Sequence, residues 1–182
     1  QRRGIKDRLT FVVTRDKIPL TTVDVTYMIR PQVGYVRIES FGETTYDELM
    51  AALEKLKQQG MTKLILDLQD NGGGYLKSAA DIANEFLSRG NLIVYTQGRR
   101  VPKQEFTARG NGKYQDLPLY VLINEYSASA AEIVSGAMQD HDRGTIIGRR
   151  SFGKGLVQRP VEFEDGSMMR ITIAHYYTPV GR

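Results

Sequence analysis

Apolar residues recur along this chain at two spacings, and the switches between them mark out the elements. Residues 23–29 (VDVTYMI) alternate as a half-buried strand does, and residues 34–38 (GYVRI) make a second short strand. Leu49, Ala52, Leu53 and Leu56 fall three or four apart, which predicts a helix over about 46–59, capped by Thr44 or Thr45 and ended by Gly60. Residues 63–68 (KLILDL) are nearly all apolar, as in a strand covered on both faces. A second helix is expected over about 77–88, with Ala80, Ile82, Ala83 and Phe86 inward and Gly90 closing it. Residues 92–96 and 118–123 (PLYVLI) read as strands, and 128–139 as a helix. Residues 144–147, 156–163 and 168–174 read as three more strands, the last two a hairpin about Asp165–Gly166. Residues 97–117 are polar and irregular, an exposed hairpin or a flap over a site.

Strand, glycine-rich turn, helix and strand in that order predict an α/β fold with a mostly parallel central sheet and right-handed crossovers. Residues 8–15 (RLTFVVTR) form a further strand-like run, broken by 17–19. The weakest join lies around 16–22, so the residues before it read as the tail of a different domain. With 182 residues the chain suffices for one domain with a sizeable core.

Composition narrows the chemistry. Hydrophobic residues are 41% and charged residues 25%, ordinary for a globular protein. The net charge of +4 is mild, and the basic pairs Arg2–Arg3, Arg99–Arg100 and Arg149–Arg150 are short, so no nucleic-acid partner is expected. The absence of cysteine excludes disulfides, thiolate nucleophiles and thiolate zinc sites. No apolar run is long enough to span a bilayer. The chain opens on Gln1 rather than methionine and stops at Arg182, so both ends are expected to be boundaries, with a signal, an anchor or another domain beyond them.

Three segments carry candidate chemistry. Ser127 and Ser129 follow a buried strand and precede an alanine-rich helix, the place where α/β sheets put their sites and where the helix dipole favours a developing oxyanion. Ser127 is expected to cap that helix, whereas Ser129, just inside the first turn, is less well explained by capping. Lys154 lies between Gly153 and Gly155. A lysine titrates near 10.4 in water, so it serves as a base only where burial lowers that value, and apolar Phe152, Leu156 and Val157 are expected to bury it. In an extended segment Lys154, Leu156 and Gln158 share a face, and Gln158 is placed to hold a neutral amine. The turn at 67–74 (DLQDNGGG) presents backbone N–H groups for an anion or oxyanion; it has neither dinucleotide-fingerprint nor P-loop spacing. The other candidates are weaker. Asp140, His141 and Asp142 are adjacent and converge poorly on a metal. A triad through His141 lacks a G-x-S-x-G elbow. Glu132 reads as a helix-surface or supporting residue, His175 as structural, and Tyr176–Tyr177 as packing.

With these residues in view, the chain resembles the carboxy-terminal processing peptidases, or tail-specific proteases, over roughly 18–182. The likeness rests on 67–74, on 124–132 with Ser-Ala-Ser, and on 151–158 (SFGKGLVQ), in that order. That family places a lysine base 25 residues after its serine and a glutamine four further on. Ser129, Lys154 and Gln158 match both intervals and Ser127 matches neither. The resemblance implies a ClpP/crotonase-like core, and an oxyanion hole formed by the backbone N–H groups of Gly73 and Ala130. It also implies a serine endopeptidase acting near the carboxyl termini of protein or peptide substrates, without metal or cofactor. The implied location is the bacterial periplasm or cell envelope. A PDZ domain normally precedes the core, so residues 1–17 are expected to be its remnant and 18–182 the peptidase core, in a full-length protein with a PDZ domain and a membrane or export signal. The family's usual arginine in the glycine motif is Gln69 here, and its usual serine before Glu132 is Ala131. Two other readings stand beside this one: a non-catalytic or latent peptide-binding fragment, and a crotonase-like acyl-CoA enzyme with no need of a Ser–Lys pair.

Overall fold

Strands laid down in one direction across a sheet, each joined to the next through a helix, put all those helices on the same face when the crossovers are right-handed. The computed structural model, which describes residues 11–12 and 21–182, has this arrangement. Strands β1 (Val23–Arg30), β2 (Val33–Ile38), β3 (Lys63–Asp67), β6 (Leu119–Ile123) and β7 (Thr145–Gly148) form a five-stranded sheet in the order β1-β2-β3-β6-β7. β1 pairs antiparallel with β2, and the remaining pairs are parallel. Helices α1 (Thr45–Gln58), α2 (Leu76–Phe86) and α3 (Ala130–Asp140) occupy the crossovers. Alternation along the strands agrees. Val36, Ile38, Leu64, Leu66 and Val121 are fully buried and share a core with Leu49, Leu53, Ile82, Phe86 and Val134 of the helices.

The α/β class and the mostly parallel sheet are as the sequence predicts, and the helices begin and end within about two residues of expectation. The strand after α2 departs from the simple scheme. β4 (Leu92–Gln97) does not return to the parallel sheet. It pairs with β5 (Gln104–Thr107) and β9 (Met168–Tyr177), and β9 pairs with β8 (Leu156–Glu162), giving an antiparallel sheet in the order β5-β4-β9-β8. The irregular stretch after β4 is therefore a hairpin, not a flap over the site. It is fixed from below, with Arg109 N–H donating to Asn84 Oδ1 and Lys113 N–H to Glu85 Oε2. The strand expected at 8–15 and the domain remnant expected at 1–17 lie outside the described residues, apart from Phe11 and Val12.

Arg143, half-buried between α3 and β7, joins its loop to α2 and to the approach to β6. Its guanidinium donates to Phe86 O, Tyr114 O and Leu117 O at 2.7–2.8 Å, satisfying the carboxyl end of α2 and the loop ahead of β6.

Candidate active site

The candidate nucleophile lies where β6 turns into α3. Ser127 is buried, its Oγ donating to Leu68 O at 2.7 Å and accepting from Asn124 N–H at 2.9 Å. It is a strut between two turns and not the helix cap that its position suggests. The cap is Ser129, with φ 55° and ψ −111°, a conformation that residues carrying a Cβ rarely adopt. The half-exposed serine thus stands on a strained turn ahead of Ala130, the first residue of α3, whose N–H has no acceptor within the helix.

The glycine turn is pinned against that serine. Ala128 N–H donates to Asn71 O, and Asn124 bridges to Asp70 through both its amide atoms. A Cβ added at Gly73, where φ is +97°, would lie 2.7 Å from Ser129 Cβ and from Ala128 O. Only glycine fits this approach. The N–H of Gly73, expected as an oxyanion donor, instead donates to Asn71 Oδ1 at 2.8 Å. Asn71 in turn donates to Ile38 O. Sequence alone does not show this side chain turning back onto its own loop.

The candidate base lies on the segment between β7 and β8, tied to the serine turn by Phe152 N–H donating to Ser127 O. Lys154 is exposed, and so are two of the residues expected to bury it, Phe152 at 66% and Leu156 at 37%. The expected burial is therefore not supplied by this chain, because the segment runs over the surface, where Phe152 and Leu156 are exposed. Among the described residues no hydrogen bond or ion pair joins Lys154 to Ser129 or to Gln158. Gln158 lies in β8, opposite Thr172 of β9.

Ser129 and Lys154 line one open cavity of about 570 Å³, together with Glu132, Ser151, Tyr176 and Tyr177. Gln158 is not among its lining residues. The carboxylate of Glu132 sits between the two halves. Its Oε2 accepts from Ser129 N–H and Lys154 N–H, each at 2.8 Å, and its Oε1 accepts from Ser151 Oγ and Gly153 N–H, each at 2.7 Å. The tyrosines read as packing residues belong to the site wall. β9 runs three residues beyond its expected end and carries Tyr176 N–H to Gly155 O, with the Tyr177 ring stacked 4.8 Å from that of Tyr95.

The family model of peptidase family S41 matches residues 32–182. The chain belongs to peptidase family S41. A carboxyl-terminal-processing protease of Synechocystis sp. is 42% identical over 172 residues, covering 93% of this chain and 40% of the relative. A carboxy-terminal-processing protease of Bartonella bacilliformis is 41% identical over 188 residues, covering 99% of this chain and 42% of the relative. Among solved structures, the photosystem II D1 C-terminal processing protease superposes with a TM-score of 0.79 at 35% identity, over 92% of this chain and 46% of that one. This S41 chain thus spans about two fifths of the length of the curated relatives it matches.

The other polar candidates of this S41 chain lie away from the cavity mouth. His141 caps the far end of α3, twelve residues or roughly 18 Å from Ser129 along the axis. Its Nε2 bonds to Leu92 O at 2.6 Å, so it is not placed as a triad partner. Among the described residues no group of three or more His, Asp or Glu side chains is placed to hold a metal ion. No described helix is long and apolar enough to cross a membrane.

Proposed function

We propose that this chain is the catalytic core of a serine endopeptidase that cuts protein substrates near their carboxyl termini, with Ser129 as nucleophile and Lys154 as base. The supporting observation is convergence: residues 25 apart in sequence line the same cavity and hang from the same carboxylate. In the proposed reaction a neutral Lys154 amine takes the Ser129 hydroxyl proton as Oγ attacks a peptide carbonyl. The tetrahedral oxyanion is held by backbone N–H groups, with Ala130 the better placed donor. Gly73 joins only if the Asn71 side chain swings off its N–H. The protonated lysine gives its proton to the leaving amine, and water then attacks the acyl-enzyme and regenerates both groups.

An exposed lysine needs water removed before it acts as a base. In this scheme the substrate, laid across the open cavity, provides that cover. Gln158 is proposed to hold the amine in the covered state. Cleavage of carboxyl-terminal peptides by wild type, and its loss in a folded Ser129→Ala variant, are expected; cleavage by that variant at the wild-type rate refutes the assignment.

The exposure of Lys154 and its lack of a bond to Ser129 favour a second reading, a latent fragment that binds peptides without cutting them. Saturable peptide binding with no product after long incubation would select it. Action outside the cytoplasm, in the bacterial periplasm or envelope, is proposed from the likeness to bacterial relatives such as that of Bartonella bacilliformis. A PDZ domain and an export signal elsewhere in the full-length protein belong to the same proposal. Cell fractionation that finds the protein wholly in the cytoplasm would count against it.

A further inference from the structure

A capping glutamate needs one oxygen to satisfy one N–H at a helix start. Glu132 does this for Ser129, and that explains one of its four bonds. The other three come from Ser151, Gly153 and Lys154, 19 to 22 residues further along the chain. A carboxylate has about four acceptor positions, and donors fill all four here. No lone pair is left to take a substrate proton, so Glu132 is not a base. None is left for the lysine amine either, and among the described residues no ion pair joins the two side chains. That matters because a carboxylate bound to the amine would hold it charged. Glu132 grips the backbone of Lys154 and leaves its amine out of the grip.

Ser129 also stands on a strained turn, and Gly153, with φ +86°, on a glycine-dependent one. The Ser129 conformation is not favoured locally, so something outside its segment has to hold it. We propose that Glu132 is the positioning residue of this site, a single carboxylate that sets the nucleophile's backbone and the base's backbone in register while making no bond to the amine itself. The proposal rests on the Ser–Lys reading above.

The test uses Glu132→Gln, which keeps the shape but turns an NH₂ group toward backbone and hydroxyl donors. Misplacement of reacting groups by about 1 Å costs on the order of 100-fold. The expected result is a kcat about 100-fold lower, with KM within about threefold, and labelling of Ser129 by a fluorophosphonate reagent slowed in parallel. A kcat within about threefold of wild type, or a loss confined to KM, overturns the proposal. If Glu132→Gln does not fold, Ser151→Ala decides. This change removes one donor from a half-buried side chain and is expected to lower kcat about tenfold at unchanged melting temperature; unchanged kcat overturns the proposal. Ser129→Ala separates the two claims. Activity surviving in Ser129→Ala sinks the Ser–Lys reading itself. Inactive Ser129→Ala beside fully active Glu132→Gln sinks only the role of Glu132.

Discussion

Ser129 shows most plainly how a single residue sets function against stability. Its positive φ costs about 1–3 kcal/mol for a residue with a Cβ, while glycine replaces serine at a cap for only a few tenths. Ser129→Gly is therefore expected to raise stability by about 1 kcal/mol while abolishing cleavage, read from urea unfolding midpoints beside peptide turnover. Gly73→Ala should act the other way. The new methyl meets Ser129 Cβ and Ala128 O, both backed by packed structure, so a loss of about 1–3 kcal/mol and a lower kcat are expected. A wild-type midpoint in Gly73→Ala would mean the glycine turn yields easily. At this scale the candidates Ser129 and Lys154 were legible because their spacing matches the resembled family. The bonds of Glu132 were not, since its donors lie a crossover away. Nor was the turn of Asn71 onto Gly73, which depends on side-chain rotation alone.

Elements were legible where their pattern is local. α1 was expected over 46–59 and runs Thr45–Gln58, because its inward Leu49, Ala52, Leu53 and Leu56, with Gly60, mark face and end. β9 was cut short at Ala174 because its last residues gain their place by pairing with β4 and β8, where His175 lies opposite Gln97 and Leu156. Such pairing has no local signal. The tie between β1 and α1 was also hidden. Glu48 accepts from Thr22 N–H and Oγ, Val23 N–H and Thr44 Oγ at 2.6–3.0 Å. Burial pushes its carboxyl up, but these bonds outweigh it and hold the value below the ordinary 4.5. A lowered carboxyl contributes stability that is present above its unfolded value and lost as pH falls through its folded value. The gap in urea midpoint between wild type and Glu48→Gln is therefore expected to be full at pH 7 and to shrink between about pH 5 and pH 3. A gap independent of pH would show that Glu48 contributes through packing and not through charge.

Across the whole molecule, the division into two sheets was the least legible feature. LILD in β3 and LIVY in β4 are near-identical apolar runs, yet one enters the parallel sheet and the other the antiparallel one. The hairpin with β5 and the return of β9, some eighty residues after β4, decide it. Arg143 ties the α3–β7 loop to the end of α2 and the loop ahead of β6, and its removal would leave three carbonyls short of a donor. Arg143→Ala is expected to cost about 3 kcal/mol, seen as a lower urea midpoint at unchanged slope. The pair of sheets matters for function because the base segment, which leads into one sheet, is tied to the serine turn that leaves the other. Covalent labelling with a fluorophosphonate, followed by mass spectrometry, measures that juxtaposition most directly in wild type, Ser129→Ala and Lys154→Ala. The expected result is an adduct on Ser129 in wild type, none in Ser129→Ala, and labelling at least about 100-fold slower in Lys154→Ala. Lys154→Ala labelled at the wild-type rate, or an adduct on any other serine, would contradict it.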